Sequence, residues 1–346
     1  MELSTNQAID QVIESAVKDQ AEKAPGLRQV HAKSHGCVWG EFTVAQNIPE
    51  TMRFGIFSTV KTYPIWVRFS NASGPLSQGQ LQSDTLPDGR GMAIKLMQVE
   101  GKKVLDDEQS TQDFVFINNP FFFVRDAQGY VRLAEAATGK LAAESVAYEF
   151  GILQQMGGKK TRNPLRIQYW SATPFRLGSN AVKLSAKPHL IDDLSAPVPE
   201  SENYLREAMV NYLTLEKKAE SRRVFTTGVP PVDGELFKTD AYFDFMIQLQ
   251  PGDDPKLVED PTIPWDETVS PYIKVATIKL PAQEFDPPER KQFDQSLSFT
   301  PWHTLPEHEP LGSVNQARLK LYQTIAKNRR DYNQMPIAEP QPYQPS

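Results

Sequence analysis

The first hydrophobic pattern in the chain has a helical period. Ile9, Val12, Ile13, Ala16 and Val17 recur at three- and four-residue spacing, which predicts one apolar stripe on a helix over about 5–23 that ends before Pro25-Gly26. The pattern then changes to that of strands. GCVWGEFTV (36–44), PIWVRFSNA (64–72), GMAIKLMQV (91–99) and DFVFINN (113–119) are short aromatic and β-branched runs separated by Gly, Pro, Asp and Ser. Helical spacing returns over about 126–157 and breaks at Gly139-Lys140, so two helices are expected there. IQYWSATPFRL (167–177) and AVKLSAKPHL (181–190) carry strand signals again. SENYLREAMVNYLTLEKKAE (201–220) is a capped helix starting at Ser201 with Glu202 in its first turn. Two more strands, AYFDFMIQLQPG (241–252) and PYIKVATIKLPA (271–282), precede a proline-rich loop. A long helix over 313–335, with Ser313 as its N-cap, leads into a tail with four prolines that is read as disordered or lying over the surface.

Strands dominate early and late, helices lie between, and the connections are hairpin-like. This order predicts an α+β fold, an antiparallel sheet or barrel with added helices, over a doubly wound sheet. It divides the chain into an N-terminal helix (1–25), one large unit (26–335) and the tail (336–346). With 346 residues, 39% of them hydrophobic, the chain can bury a large core. A net charge of -6 argues against nucleic acid or an anionic membrane surface as the main partner. Cys37, the single cysteine, can form neither an intrachain disulfide nor a thiolate cluster, and is read as a small buried hydrophobe. The first residues lack the basic and apolar regions of a secretory signal, and no apolar run reaches the length of a membrane span. A soluble, cytoplasmic protein is expected.

Several motifs fail. Gly89-Arg90-Gly91 lacks the third glycine of a dinucleotide site, and Gly157-Gly158-Lys159-Lys160 is not a P-loop. His303, His308 and His189 are read as structural or exposed histidines. Four segments carry chemistry instead. In the last helix Arg318 and Tyr322 stand one turn apart, and Arg329 returns to the same face two turns later. A neighbouring guanidinium favours the ionised phenol, and a tyrosinate can bind ferric iron. His31, with Arg28 before it, enters a strand where imidazole could move a proton between two peroxide oxygens. Arg68 and Ser70 share a strand face, so the hydroxyl could hold the His31 ring while the arginine meets carboxylates. DFVFINNPFFFVRD adds side-chain amides beside an aromatic run able to wall an apolar pocket.

Together these segments resemble the haem catalase family. R-x-x-H-A-K stands as Arg28 to Lys33, R-F-S as Arg68 to Ser70, and D-x-R-G-x-A-x-K as Asp88 to Lys95. The proximal pattern stands as Arg318, Tyr322, Arg329 and Asn333. The resemblance covers about 28–126 and 260–333. It implies an antiparallel β-barrel of the catalase type with surrounding helices, and haem b as cofactor, with its iron on Tyr322 and Arg318 as the phenol's charge partner. It further implies His31 as distal acid–base residue supported by Ser70, and Arg28, Arg68 and Arg329 on the haem propionates. Val30 would narrow the channel above the iron, and Phe122 and Phe123 would line it.

Departures from the pattern are specific. Strict register puts Ile117 where the family's distal Asn belongs, and Asn118 would serve only if the strand bulges by one residue. The stretch from His31 to Gly40 is one residue longer than in the family, inserting Ser34-His35. Residues about 130–255 look more like short bacterial catalase-related proteins. The function implied is breakdown of hydrogen peroxide, by dismutation or with an organic reductant. The alternatives are a fatty-acid hydroperoxide isomerase of the allene oxide synthase type, disfavoured because Val30 replaces its Thr, and a haem-binding relative without turnover. Oligomeric state is left open.

Overall fold

The computed structural model describes residues 3–343 except 194, 196 and 215–238. Nine strands form one antiparallel sheet: β1 (Ser34–Val44), β2 (Thr62–Asn71), β3 (Arg90–Leu96), β4 (Gln112–Ile117), β5 (Tyr169–Trp170), β6 (Phe175–Leu177), β7 (Asn180–Pro188), β8 (Ala241–Leu249) and β9 (Ile273–Leu280). Their order is β5-β4-β3-β2-β1-β9-β8-β7-β6, and β5 also pairs with β7. That second pairing closes eight strands into a barrel, with β6 as an appendage on β7. Closure removes the unpaired sheet edges, and the expected antiparallel barrel with surrounding helices is what the chain forms.

Alternation decides which face each residue takes. Phe42, Phe69, Phe114, Phe116, Phe243 and Phe245 point into the barrel and are buried, so its interior is a packed hydrophobic core. Phe245 meets Phe42 edge-on at 5.0 Å and Phe114 at 4.9 Å. The intervening residues of β2, β3 and β4 therefore face outward. A layer of helices covers that outer surface, and the candidate chemistry lies between the two.

The helices are α1 (Thr5–Lys23), α2 (Ala127–Ala137), α3 (Ala147–Gly157), α4 (Tyr204–Thr214), α5 (Lys256–Glu259), α6 (Pro288–Ser296) and α7 (Ser313–Asn333). Helix α1 begins with a capping box, Ser4 with Gln7, and its stripe packs on α2 and α7 through Ala8, Ile9, Val12, Ala127, Val131 and Ala317. The break between α2 and α3 falls at Gly139 as expected, with φ +72°.

Three details differ from the sequence reading. Helix α4 starts at Tyr204, three residues after Ser201, and the part of that expected helix beyond 214 lies outside the described residues. Gly312 (φ +82°) is the N-cap of α7, and Ser313 is its first helical residue. Helix α6 arises inside the expected proline-rich loop. Pro287-Pro288 starts a helix here, because a proline at the first helical position sacrifices no intrahelical bond.

The tail lies over the surface as far as residue 343. Gln341 accepts from the Trp66 indole at 3.0 Å, and Tyr343 stacks on Trp39 at 4.9 Å; residues 344–346 lie outside the described residues. Among the described residues no helix is long and apolar enough to cross a membrane. Cys37 is buried beside Trp66, Met97 and Leu297, and burial pushes its thiol up, as befits an inert core residue.

Candidate functional site

The outer face of β2–β4 is built in cross-strand rows. Ser70, Gly91 and Ile117 stand side by side in one row, and Arg68, Ala93 and Val115 in the next. Helix α7 passes over these rows with Arg318, Leu321, Tyr322, Ile325, Ala326 and Arg329 on its inner face. The gap between sheet and helix is a cavity with about 930 Å³ of empty space, its open mouth included. Gly91 and Ala93 keep its floor low, so that a flat molecule can lie between strands and helix.

His31 enters this cavity on a strained turn. Its φ of +55° is uncommon for any residue with a Cβ, a conformation that costs about 1–3 kcal/mol. The turn is held by a hydrogen bond from the His31 amide to Ala72 C=O at 3.0 Å. The ring then lies over Gly91, where a Cβ would come within 2.5 Å of Nδ1. Ser70 Oγ stands 3.0 Å from the same nitrogen, leaving Nε2 as the ring nitrogen free to act in the cavity. Burial first, then the positive charges of Arg68 and Arg318, lowers the imidazole to about 4. At neutral pH it is an uncharged base.

Tyr322 lines the same cavity from α7. Arg318 donates to its phenol oxygen at 3.2 Å. Thr173 Oγ1 at 3.1 Å and Asn315 Oδ1 at 3.0 Å accept from the other end of that guanidinium, so it is fixed before anything binds. The i,i+4 spacing seen in the sequence becomes a direct contact here. Asn333, last in the same pattern, serves structure instead, donating to Gly26 C=O at 2.8 Å.

Arg28, Arg68 and Arg329 converge at the third side of the cavity. The carboxylate facing them is Asp294 of α6, which accepts from Arg68 Nε at 2.7 Å and lies 3.9 Å from Arg28. Arg28 and Arg329 also donate to the Leu297 carbonyl, at 2.7 and 2.9 Å. Burial would raise the Asp294 carboxyl, but Arg68 and Arg28 outweigh it and hold it below its ordinary value. Burial and the neighbouring guanidiniums lower Arg28, and they bring Arg329 to about 10. Three cations against one carboxylate leave an excess of two positive charges, which suits a ligand carrying two carboxylates.

The remaining expected residues divide. Val30 lies at the cavity, exposed, and Phe122 is part of its wall. Phe123 stacks behind Phe122 at 4.4 Å and supports the wall without forming it. Asn118 is not among the residues that line the cavity: its Oδ1 accepts from the Arg90 amide at 2.9 Å, while its Nδ2 is buried without a hydrogen-bond partner among the described residues. No bulge shifts β4, because Gly91 pairs with Ile117 and the ladder is regular through Leu96 and Gln112. The irregularity forced by Ser34-His35 falls in β1 instead. Ile117 thus occupies the place next to His31. Asp294 was missed because its helix sits in a segment read as a loop, and no local pattern sets this buried acid apart from the surface acids.

Among the described residues one other cluster has metal-ligand chemistry. Glu108, Asp113 and His303 converge, but Lys95 Nζ already stands among them, bonded to Glu108 and 2.8 Å from Asp113. Burial and Lys95 would lower His303, yet hydrogen bonds with Asp107 and Asp113 raise it to about 9. Lys95 and His303 together tie up Glu108, Asp113 and Asp107, which fits the reading of His303 as structural. His308 is structural too, accepting from the Ile56 amide at 3.1 Å.

Comparisons with known proteins bear on the fold. The catalase family model matches residues 8–150. The catalase of Ascaris suum is 39% identical over 100 residues, 29% of this chain and 16% of that one. A Staphylococcus epidermidis catalase is 24% identical over 334 residues, covering 90% of this chain and 61% of the relative. The chain therefore spans about three fifths of the length of that relative. Among solved structures, catalase A from Saccharomyces cerevisiae superposes with a TM-score of 0.62 at 20% identity, covering 97% of this chain and 67% of that one. A fungal catalase gives 0.60, covering 66% of its chain; at such identity the likeness is one of fold. Motif order, barrel topology and these matches make the chain similar to catalases, with their fold shared over nearly its whole length.

Proposed function

We propose that the cavity holds a haem and that the protein breaks down peroxides. The observation that carries this is one cavity presenting, on separate walls, a serine-held neutral histidine, an arginine-paired phenol and an excess of two positive charges. The low floor at Gly91 and Ala93 fits a flat macrocycle, and the arginine cluster fits its two propionates. Tyr322 would ligate the iron, with Arg318 holding its phenol oxygen in place by a hydrogen bond. Arg28, Arg68 and Arg329 would hold the propionates. Haem bound there supplies the redox chemistry that splits the O–O bond.

The rest belongs to the chain. His31 Nε2 takes the proton from the incoming peroxide and returns it to the departing oxygen. Ser70 keeps the ring in the orientation that makes both transfers possible. Val30 and Phe122 exclude bulk water from the reacting oxygens.

Haem-loaded protein should show a ferric Soret band and consume hydrogen peroxide, oxidising a phenolic donor or releasing oxygen. Failure to retain haem after reconstitution would overturn the reading. A second expected result concerns pH. Because His31 is held at about 4, it stays neutral well below the ordinary histidine range and keeps its capacity to accept a proton. The rate of the peroxide step should stay level from pH 7 to about 5 and fall as pH drops through about 4. Stopped-flow measurement, with circular dichroism at each pH as a folding control, decides it; an acid limb centred near 6.5 contradicts the assignment.

A further inference from the structure

We propose that Trp66, Trp39 and Tyr343 form an electron relay from the cavity to the surface, and that bulky phenolic donors are oxidised at Tyr343. The proposal rests on the peroxide-cleaving reading above and adds the place where reducing electrons enter. Its basis is the order of rows on the outer face of the barrel. Next to the row of Arg68, Ala93 and Val115 comes one in which Trp39 pairs with Trp66 and Trp66 with Lys95. Trp66 is therefore two residues, about 7 Å along the strand, from Arg68 of the cavity wall. Directly paired side chains on one face stand about 4.5–5.5 Å apart at Cβ, so the two indoles are neighbours. Phe299 bridges the rows, lining the cavity and packing against the cluster of Cys37, Trp66, Met97 and Leu297. On the outer side Tyr343 of the tail stacks on Trp39 at 4.9 Å and meets Trp66 edge-on at 6.2 Å. Trp66 is buried, Trp39 half-buried and Tyr343 exposed, so oxidisable rings lead from the cavity wall to solvent. Packing alone asks only for apolar rings, as Phe293 supplies at 4.6 Å from Trp66.

Cleavage of hydrogen peroxide leaves the site two electrons short, and a donor too large for the cavity can restore them only through the protein. Trp66 gives one electron inward. Arg290 stands over Trp66 at 4.5 Å, and its positive charge disfavours a cationic indole radical. The vacancy therefore moves on to Tyr343, which loses an electron to the indole and its phenol proton to solvent, leaving a neutral phenoxyl. A phenol (DH) then transfers a hydrogen atom: its O–H bond breaks, the Tyr343 O–H bond re-forms and D• departs. Two such cycles return both electrons, and two protons from solvent complete the second water. The sum is H2O2 + 2 DH → 2 H2O + 2 D•.

The test uses haem-loaded wild type, Tyr343→Phe and Tyr343→Trp, with a phenol coupled to polyethylene glycol as a donor too large for the cavity. Phenylalanine keeps the stack on Trp39 without the oxidisable hydroxyl, and tryptophan restores an oxidisable ring. Wild type mixed with hydrogen peroxide and no donor, then freeze-quenched, should show a tyrosyl radical by electron paramagnetic resonance. A nitroso spin trap should label Tyr343. Tyr343→Phe should lose signal and label and oxidise the polymer-bound phenol at least about tenfold more slowly, while cleaving peroxide at the wild-type rate. Tyr343→Trp should recover the donor rate and give an indolyl signal. Trp66→Phe, checked for folding by thermal melting, should also lose the Tyr343 radical; its retention would route the electrons around Trp66 and overturn the relay. A radical and donor rate unchanged in Tyr343→Phe overturn it as well, leaving the rings a packing role. If haem-loaded wild type cleaves no peroxide, the underlying reading fails and takes this one with it. If it cleaves peroxide but forms no radical at Tyr343, only the relay fails.

Discussion

Replacing Tyr322 with phenylalanine should leave a folded protein that takes up haem at least about 100-fold more weakly and with an altered ferric spectrum. The expected size follows from position. Loss of a group that merely orients a ligand costs about 10–100-fold in metal affinity, and loss of the ligand itself must exceed that. Arg318→Ala, which removes the guanidinium 3.2 Å from the phenol oxygen, should fall within the 10–100-fold range and shift the Soret maximum. The fold should survive the Tyr322 change, because the ring is half-buried on α7 and loses one hydrogen bond, worth about 1 kcal/mol. Spectrophotometric titration of apoprotein with haem, alongside thermal melting, checks both variants. An unchanged affinity and spectrum in Tyr322→Phe would show that the iron ligand lies elsewhere.

The two walls of the site were not equally legible in the sequence. Arg318, Tyr322 and Arg329 sit on one continuous helix, so spacing alone places them on one face. Their contact in three dimensions needs no knowledge of the rest of the fold. The other wall depends on pairing between strands. Ser70, Gly91 and Ile117 are far apart in the chain and meet only through the β2–β3 and β3–β4 registers. One residue of uncertainty in such a register exchanges the two faces. That is why Asn118 and Ile117 could not be separated by inspection of DFVFINN, whereas the regular ladder separates them at once. The arginine cluster was half legible. Three of its cations stand in recognisable motifs, but their counter-ion Asp294 comes from α6, whose opening Pro287-Pro288 reads locally as a break. The barrel was legible because its strands alternate cleanly. Its closure through β5 was not, since that strand is two residues long.

His31→Ala should leave haem uptake intact and slow the peroxide step by about 100- to 10,000-fold, the usual contribution of one positioned acid–base group. The separation of effects is what makes the variant informative. His31 supplies none of the groups that face Tyr322 or the arginine cluster, so affinity for haem should change little while reactivity collapses. Ser70→Ala isolates the supporting role: removing the hydroxyl 3.0 Å from Nδ1 frees the ring to rotate without deleting the base, and the loss should be smaller. The pH profile then tells orientation from chemistry. Ser70→Ala should keep an acid limb near 4, because burial and the charges of Arg68 and Arg318, not the serine, set that value. His31→Ala should lose that limb, since the imidazole that produces it is gone. If His31→Ala retained both the rate and the limb, proton transfer would have to be assigned to another group. Among the described residues the cavity walls offer no second histidine, since the remaining polar side chains there are arginines, serines, Gln29 and Tyr322.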